Sequence, residues 1–352
     1  TSCTCCGSAR IVKMGEDITE TLEVIPRQWK VIQTVREKFT CRDCEKISQP
    51  PAPFHPTPRG WAGPNLLAMV LFEKFGQHQP LNRQAERYAK EGVEISLSTL
   101  ADQVGVCAAA LQPIHDLIRA HVLGAERLHA DDTTVPLMAK GGTQTARLWT
   151  YVRDESPWGS DAPPAAWYRF SGDRKGQHPK DHLARYRGWM HADGYAGFED
   201  LYRSGAIREV ACMAHVRRKF VDIHRSQGSP IAEEAISRIA RLYAVEKEAR
   251  GSPPDVRVEL RKAHAVPVFD DLEVWLAMQL TTISGKSPLA SAIRYALTRM
   301  ERLRPYLDHG ILELDNNAAE RGICAIAKQV SLCTPSSSVC KHWKCARVDD
   351  AT

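Results

Sequence analysis

The uneven placement of cysteine constrains this chain more than any other feature of its 352 residues. Of 11 cysteines, Cys3, Cys5, Cys6, Cys41 and Cys44 crowd the first 44 positions, and Cys324, Cys333, Cys340 and Cys345 the last 29. Only Cys107 and Cys212 fall between them. No basic stretch followed by an apolar one opens the chain, so secretion finds no support and a cytoplasmic location is expected. Paired cysteines at short spacing in a reducing compartment read as metal ligands. Cys3-x2-Cys6 and Cys41-x2-Cys44 set four thiolates on two tight turns, the arrangement that tetrahedral structural zinc takes. Cys5 does not reproduce the spacing and reads as a bystander. The 34 residues between the pairs exceed the usual ribbon spacing, and an inserted hairpin would accommodate them. Free thiols without a role remain the alternative. A site closed by four ligands would be architectural rather than catalytic.

The remainder has globular composition, 43% hydrophobic and 25% charged, which excludes a wholly disordered chain. The longest apolar run, Leu66 to Phe72, is too short to cross a bilayer. A formal net charge of +5 permits a polyanionic partner without establishing one. The chain opens at Thr1, as a fragment or processed product would.

Residues 1–48 carry the cysteine pairs, with short strands expected at Glu20 to Val24 and Trp29 to Val35. Residues 49–58 (QPPAPFHPTP) form a proline-rich linker. Residues 59–124 turn helical, with apolar residues at three and four in Leu66, Leu67, Val70 and Leu71, and again in Leu111, Ile114, Leu117 and Ile118. Within this segment, Ile95 to Val106 has a Ser or Thr start signal and resembles one helix of a helix-turn-helix. A generic small helical bundle is the reading that periodicity alone favours.

Leu128 to Leu137, Leu148 to Val152 and Ala166 to Phe170 read as successive strands. A helix at Pro179 to Tyr186 follows, then strands at Trp189 to Asp193 and Val210 to Met213. That order predicts an α/β fold with a mixed sheet. Residues 214–306 are helical in pattern, broken at Gly228-Ser229-Pro230 and Gly251 to Asp255. The last stretch, residues 328–352, shows no periodicity and is expected to be disordered.

Three acids stand out. Asp131 lies in HADDT, where a period of two puts His129, Asp131 and Thr133 on one face of a strand and Asp132 on the other. Asp193 ends a strand in HADGY, and Glu320 lies in LDNNAAER, where a helix starts. Carboxylates gathered at strand ends and a nearby helix repel one another until divalent cations fill the cluster, the arrangement used in two-metal phosphoryl transfer. Each acid also has a plainer reading: Asp193-Gly194 as a turn, Asn317 with Glu320 as a capping box.

LHADDTTVPL, HADGYAGFEDLY, CMAHVRRKF and LDNNAAERGI resemble the insertion-sequence-66 family of DDE transposases. The amino-terminal cysteine pairs resemble that family's zinc-finger segment, and residues 59–102 its helical segment. The likeness is ordered and covers roughly residues 3–327. It implies a retroviral-integrase-like, RNase H-like core over residues 125–327, with a helical insertion at about 214–306. It further implies a Mg2+-dependent (or Mn2+-dependent) triad with two ions, onto which Asp131, Asp193 and Glu320 match. Asp132 stands where the family often has Glu. The implied reaction is water attack on a phosphodiester at a transposon end, followed by attack of the freed 3′ hydroxyl on target DNA. Double-stranded DNA is then the partner, with a homo-oligomer in the synapsed state by analogy and element-encoded helper proteins as further candidates.

His215, Arg217, Arg218 and Lys219 form a basic cluster that reads as a DNA or active-site support, or as a solvated helix face. Asn316, Asn317 and Arg321 join that support group, the two asparagines either orienting metal ligands or capping the helix. Cys212-x2-His215 is half a metal site without a second half. Cys333, Cys340, His342 and Cys345 are a weaker candidate for a second zinc. The family carries a coiled-coil and helix-turn-helix segment ahead of its finger, and a Gly-Arg-Lys-rich stretch after about residue 327. This sequence starts at the finger, and after about residue 327 it loses the likeness abruptly in a burst of cysteines, which suggests a frameshift near codon 327. The competing expectation is a truncated remnant that binds DNA without cutting it.

Overall fold

The structure is a computed structural model that describes residues 2, 4–14, 16, 18–22, 27–57, 60–139 and 142–331. The weaker zinc candidate and nearly all of the divergent last stretch lie outside the described residues. The chain divides into two compact units, residues 1–54 with 87–95, and residues 55–86 with 96–352.

In the first unit, strands β1 (Phe39–Thr40) and β2 (Ile47–Ser48) form a two-residue antiparallel ladder, Phe39 opposite Ser48. Between them the Cys41–Cys44 turn closes through Cys41 N to Lys46 O (3.0 Å) and Glu45 N to Cys41 O (2.9 Å). Glu45 takes the left-handed conformation that this closure requires, φ +57°. The strand expected at Trp29 to Val35 does not form. Val31, Ile32 and Val35 stay exposed, because among the described residues nothing apolar covers the face their alternation creates. Trp29 packs its ring edge against Tyr88 (5.2 Å) and donates Nε1–H to Glu91 (2.8 Å). Glu20 to Leu22 form no strand either, and Glu23 and Val24 lie outside the described residues.

Four helices precede the sheet: α1 (Pro64–Leu71), α2 (Leu81–Lys90, whose residues from Arg87 belong to the first unit), α3 (Leu97–Ala110) and α4 (Gln112–Leu123). Ser96 caps α3 by accepting from Thr99 N (3.1 Å), the start signal expected there. Of the expected stripe, Leu111 falls in the turn before α4, and Ile114 and Leu117 are helical but, like Leu111, exposed; α4 instead meets the sheet through His115, whose Nε2 accepts from Trp167 Nε1 (3.1 Å).

The sheet comprises β3 (Arg127–Ala139), β4 (Gly142–Arg153), β5 (Ala165–Ser171), β6 (Gly188–His191) and β7 (Ile207–Val210). Helices α5 (Gln177–His182) and α6 (Glu199–Tyr202) lie between strands. The order is β5-β4-β3-β6-β7, antiparallel from β5 to β3 and parallel from β3 to β7. Helix α5 ends at His182, short of the expected Tyr186, and the chain goes on in a turn that buries Leu183 and Tyr186 in the core. Gly188 must then pass so close to Glu126 O that a β-carbon would sit 2.3 Å from it.

After β7 come α7 (Met213–Gln227), α8 (Pro230–Ala249), α9 (Pro254–Leu260), α10 (Val266–Thr282), α11 (Pro288–Leu303) and α12 (Asn317–Ser331). Gly228, left-handed at φ +60°, ends α7, and Ser229 and Ser287 cap α8 and α11. One apolar core packs the sheet around Trp149, Tyr151, Trp167, Met190 and Phe198. A second joins α7 to α11 around Phe220, Ile239, Phe269, Leu272 and Ile293. A mixed five-stranded sheet in this order, with a closing helix on β3 and β4, is the RNase H-like fold, preceded by a small β module. Helices α7 to α11 stand between its last strand and its closing helix.

Candidate active site

Asp131 sits in mid-β3 opposite Thr150, where the alternation places it with His129 and Thr133. Its Oδ1 accepts from Asp132 N (2.7 Å). Asp193 lies two residues past β6, in a turn where its Oδ1 accepts from Tyr195 N (3.0 Å) and Gly194 takes φ +84°. Glu320 stands in the first turn of α12. The three are electrostatic neighbours: burial, then the charge of Asp193, and less strongly that of Asp132 and Glu320, push the Asp131 carboxyl up to about 8, against the pull of its backbone hydrogen bond.

Asn316, fully buried, fixes where α12 begins. Its Nδ2 donates to Ala130 O (2.9 Å), beside Asp131, and its Oδ1 accepts from His129 Nδ1 (2.9 Å). Its backbone N–H donates to Cys212 Sγ (3.2 Å) just before α7. The capping box expected from Asn317 and Glu320 is absent, because Asn317 is already the first helical residue. Asp315 instead accepts from Asn317 N (3.0 Å) and Nδ2 (2.7 Å). Farther along α12, Tyr168 Oη donates to Gly322 O (2.9 Å), and a β-carbon at Gly322 would press on Val152 (3.1 Å) and Thr150 (3.3 Å). The helix thus lies close on β4.

The segment leading into Asn316 is held by three buried arginines that sequence reading missed. Arg261 grips Glu246 through two 2.7 Å bonds and donates to Tyr306, His309 and Leu312 carbonyls. Arg257 donates to Glu313 (2.7 Å) and Leu312 O (3.2 Å), and Arg127 to Ile311 O (3.2 Å). Except for Glu246, 15 positions from Arg261, these partners lie 45 or more positions away, so no local pattern distinguishes the three from surface arginines. Gly310 packs so tightly that a β-carbon would meet Pro254 O at 1.9 Å.

Of the basic cluster on α7, Arg218 Nη2 donates to Glu320 Oε1 (3.1 Å) and His215 Nε2 lies 4.0 Å from the same oxygen. Burial and the Arg218 charge lower the His215 pKa. Arg217 and Lys219 are exposed, Lys219 over the Tyr295 ring, and Arg321 pairs with Asp154 (3.2 Å). Burial pushes the Cys212 thiol up to about 12, which suits a packed acceptor rather than half of a metal site.

Among the described residues, no group of three or more His, Cys, Asp or Glu is gathered closely enough to hold a metal ion. Of the acids, Glu320 is instead bonded to Arg218 and Asp193 to Tyr195 N. The donor chemistry nonetheless fits a hard divalent cation: three carboxylates from three elements, with burial and then the charge of Asp193 pushing the Asp131 carboxyl up. In the first unit Cys6, Cys41 and Cys44 are exposed, and Cys3 lies outside the described residues. The Cys41 thiol is lowered by the Cys44 and Asp43 N–H groups directed at its sulfur, which favours the thiolate that zinc requires.

The mixed five-stranded sheet with its closing helix places the chain in the RNase H-like class of folds. Residues 59–336 match the family described as "Transposase IS66 family", and residues 1–45 match the "zinc-finger binding domain of transposase IS66". The chain belongs to the IS66 transposase family. The first match continues to residue 336, past the expected loss of likeness at about 327. Similar proteins in Sinorhizobium fredii include uncharacterized protein y4hP, 50% identical over 343 residues (93% of this chain, 62% of that protein). Uncharacterized proteins y4qI and y4jD are 37% and 35% identical, covering 96% and 93% of this chain. The chain spans 62–65% of the length of these relatives. No helix among the described residues is long and apolar enough to cross a membrane.

Proposed function

We propose that this chain binds transposon-end DNA and catalyses metal-dependent phosphodiester cleavage and strand transfer. The observation that carries the reading is the nearness of Asp193 and Glu320, from two other elements, to Asp131, whose carboxyl burial and their charges push up. Two Mg2+ or Mn2+ ions, when held by these three carboxylates, supply the charge that activates the attacking oxygen and stabilises the leaving one. Asn316 holds α12, and with it Glu320, at a fixed height beside Asp131. Arg217, Arg218, Lys219 and Arg321 face phosphate oxygens, and His215 supports Glu320. Cys3, Cys6, Cys41 and Cys44 hold structural zinc, and the finger with the α1–α4 segment grips DNA. Two copies act on paired ends.

A second reading, a remnant that binds ends without cutting, draws on the ungathered state of the acids. One assay decides between them. Labelled duplexes copying the element's ends are incubated with wild type and Asp193→Ala in Mg2+ or Mn2+. Metal-dependent 3′-end cleavage and joining, lost in the variant, is expected. Binding to the ends with no cleavage by either protein would overturn the catalytic reading.

A further inference from the structure

Asp132 neighbours Asp131 on β3, and its side chain is almost wholly buried, 1% exposed. A buried carboxylate persists only with well-directed partners. Arg174, in the turn between β5 and α5, supplies a fork: Nε reaches Oδ1 and Oδ2 (3.1 and 3.0 Å), and Nη2 reaches Oδ1 (2.7 Å). Arg147 completes the set at 3.0 Å. The backbone N–H of this clamped residue is the one that holds Asp131 Oδ1.

The other side of Arg174 faces the second acid. Its guanidinium lies 4.0 Å over the Tyr195 ring, and its carbonyl accepts from the Tyr195 hydroxyl. Tyr195 N–H is the group that holds Asp193 Oδ1. The turn carrying Arg174 is seated backbone on backbone: a β-carbon at Gly176 would lie 2.9 Å from Gly197 O. Each acid therefore takes its orientation from a backbone N–H, and Arg174 ties those two backbone segments together.

We propose that Arg174 is a positioning residue that sets the separation of the Asp131 and Asp193 carboxylates for divalent-metal binding. This rests on the metal-binding reading above. Lysine would not replace it, because a single ammonium cannot span both carboxylate oxygens while stacking on Tyr195.

The test measures Mn2+ binding to the full chain without DNA, by calorimetry, for wild type, Asp193→Ala, Arg174→Ala and Arg174→Lys. End-DNA affinity without divalent metal and the melting temperature are followed in parallel. Arg174→Ala is expected to weaken Mn2+ binding about 10-fold or more, and Arg174→Lys by an intermediate factor, with end-DNA affinity within about twofold. Arg174→Lys keeps a charge beside Asp132, so it carries the test if the alanine variant does not fold. A folded variant with wild-type Mn2+ affinity would overturn the proposal, as would a loss confined to DNA affinity. If wild type binds no Mn2+, or Asp193→Ala binds as well as wild type, the triad reading itself fails.

Discussion

The two units of this chain answer the same physical problem in opposite ways. Among the described residues from 2 to 54 none is buried, the strands are two residues long, and Val12, Met14, Val31 and Ile32 lie open. In the sheet unit Trp149, Tyr151, Phe220, Phe269 and Leu272 are fully buried. A segment without a core needs covalent or metal cross-links, because burial does not offset its chain entropy. A segment with a large core can instead tolerate electrostatic strain, and the sheet unit does so by holding Asp131 against Asp193 and Glu320. Metal would be the scaffold in the first unit and a reagent in the second.

The largest effect should come from removing the scaffold. Cys41→Ser, or chelation of zinc, is expected to unfold the first unit, since structural zinc contributes on the order of 10 kcal/mol in comparable small modules. Limited proteolysis should cut rapidly between residues 5 and 50 while the sheet unit melts at its usual temperature. A first unit that stays resistant without zinc would break the comparison at its root.

Next is the staple inside the sheet unit. Asn316→Ala would strand the His129 N–H and the Ala130 carbonyl, both buried, and release α12 from β3. A loss of about 3 kcal/mol in urea unfolding is expected, with cleavage falling more steeply than stability. Asn316→Ser, which keeps a smaller polar group, should fall between.

How much of this was legible depends on the range over which each residue acts. The alternation of β3 to β5 and the Gly228-Ser229-Pro230 break are local, and the structure has them close to where the pattern puts them. Trp29 to Val35 has strand alternation too, yet forms no ladder, because alternation specifies a strand only where a second surface covers it. The exposed stripe on α4 teaches the same lesson for a helix. The acids stand in local motifs; Arg127, Arg174, Arg257 and Arg261 do not, because apart from Glu246 their partners lie 27 to 184 positions away.

A smaller effect would sharpen the claim of tolerated strain. Asp193→Asn removes one of the charges that crowd Asp131, so the metal-free protein should gain stability, about 1 kcal/mol or a few degrees in melting temperature. Wild type should gain stability on adding Mg2+, by mass action on the folded state, and the variant should gain little. A variant that is less stable without metal would mean the acids are held apart well enough not to strain the core.

The smallest expected effect concerns Arg218, more than half exposed and bonded to Glu320 at 3.1 Å. Solvent screens such a pair, so Arg218→Gln should change stability by less than about 1 kcal/mol. Its informative readout is metal binding without DNA. With the competing cation gone, Glu320 is freer to join Asp131 and Asp193, and Mn2+ affinity should rise about two- to fivefold. DNA affinity should fall, with a shallower dependence on salt, because one phosphate contact is lost. The opposite signs matter: a residue that only supports the fold would lower both. They would mark Arg218 as a cation that Glu320 borrows in the metal-free state and gives up to the DNA backbone, a device available to the sheet unit because its core holds while the charges rearrange.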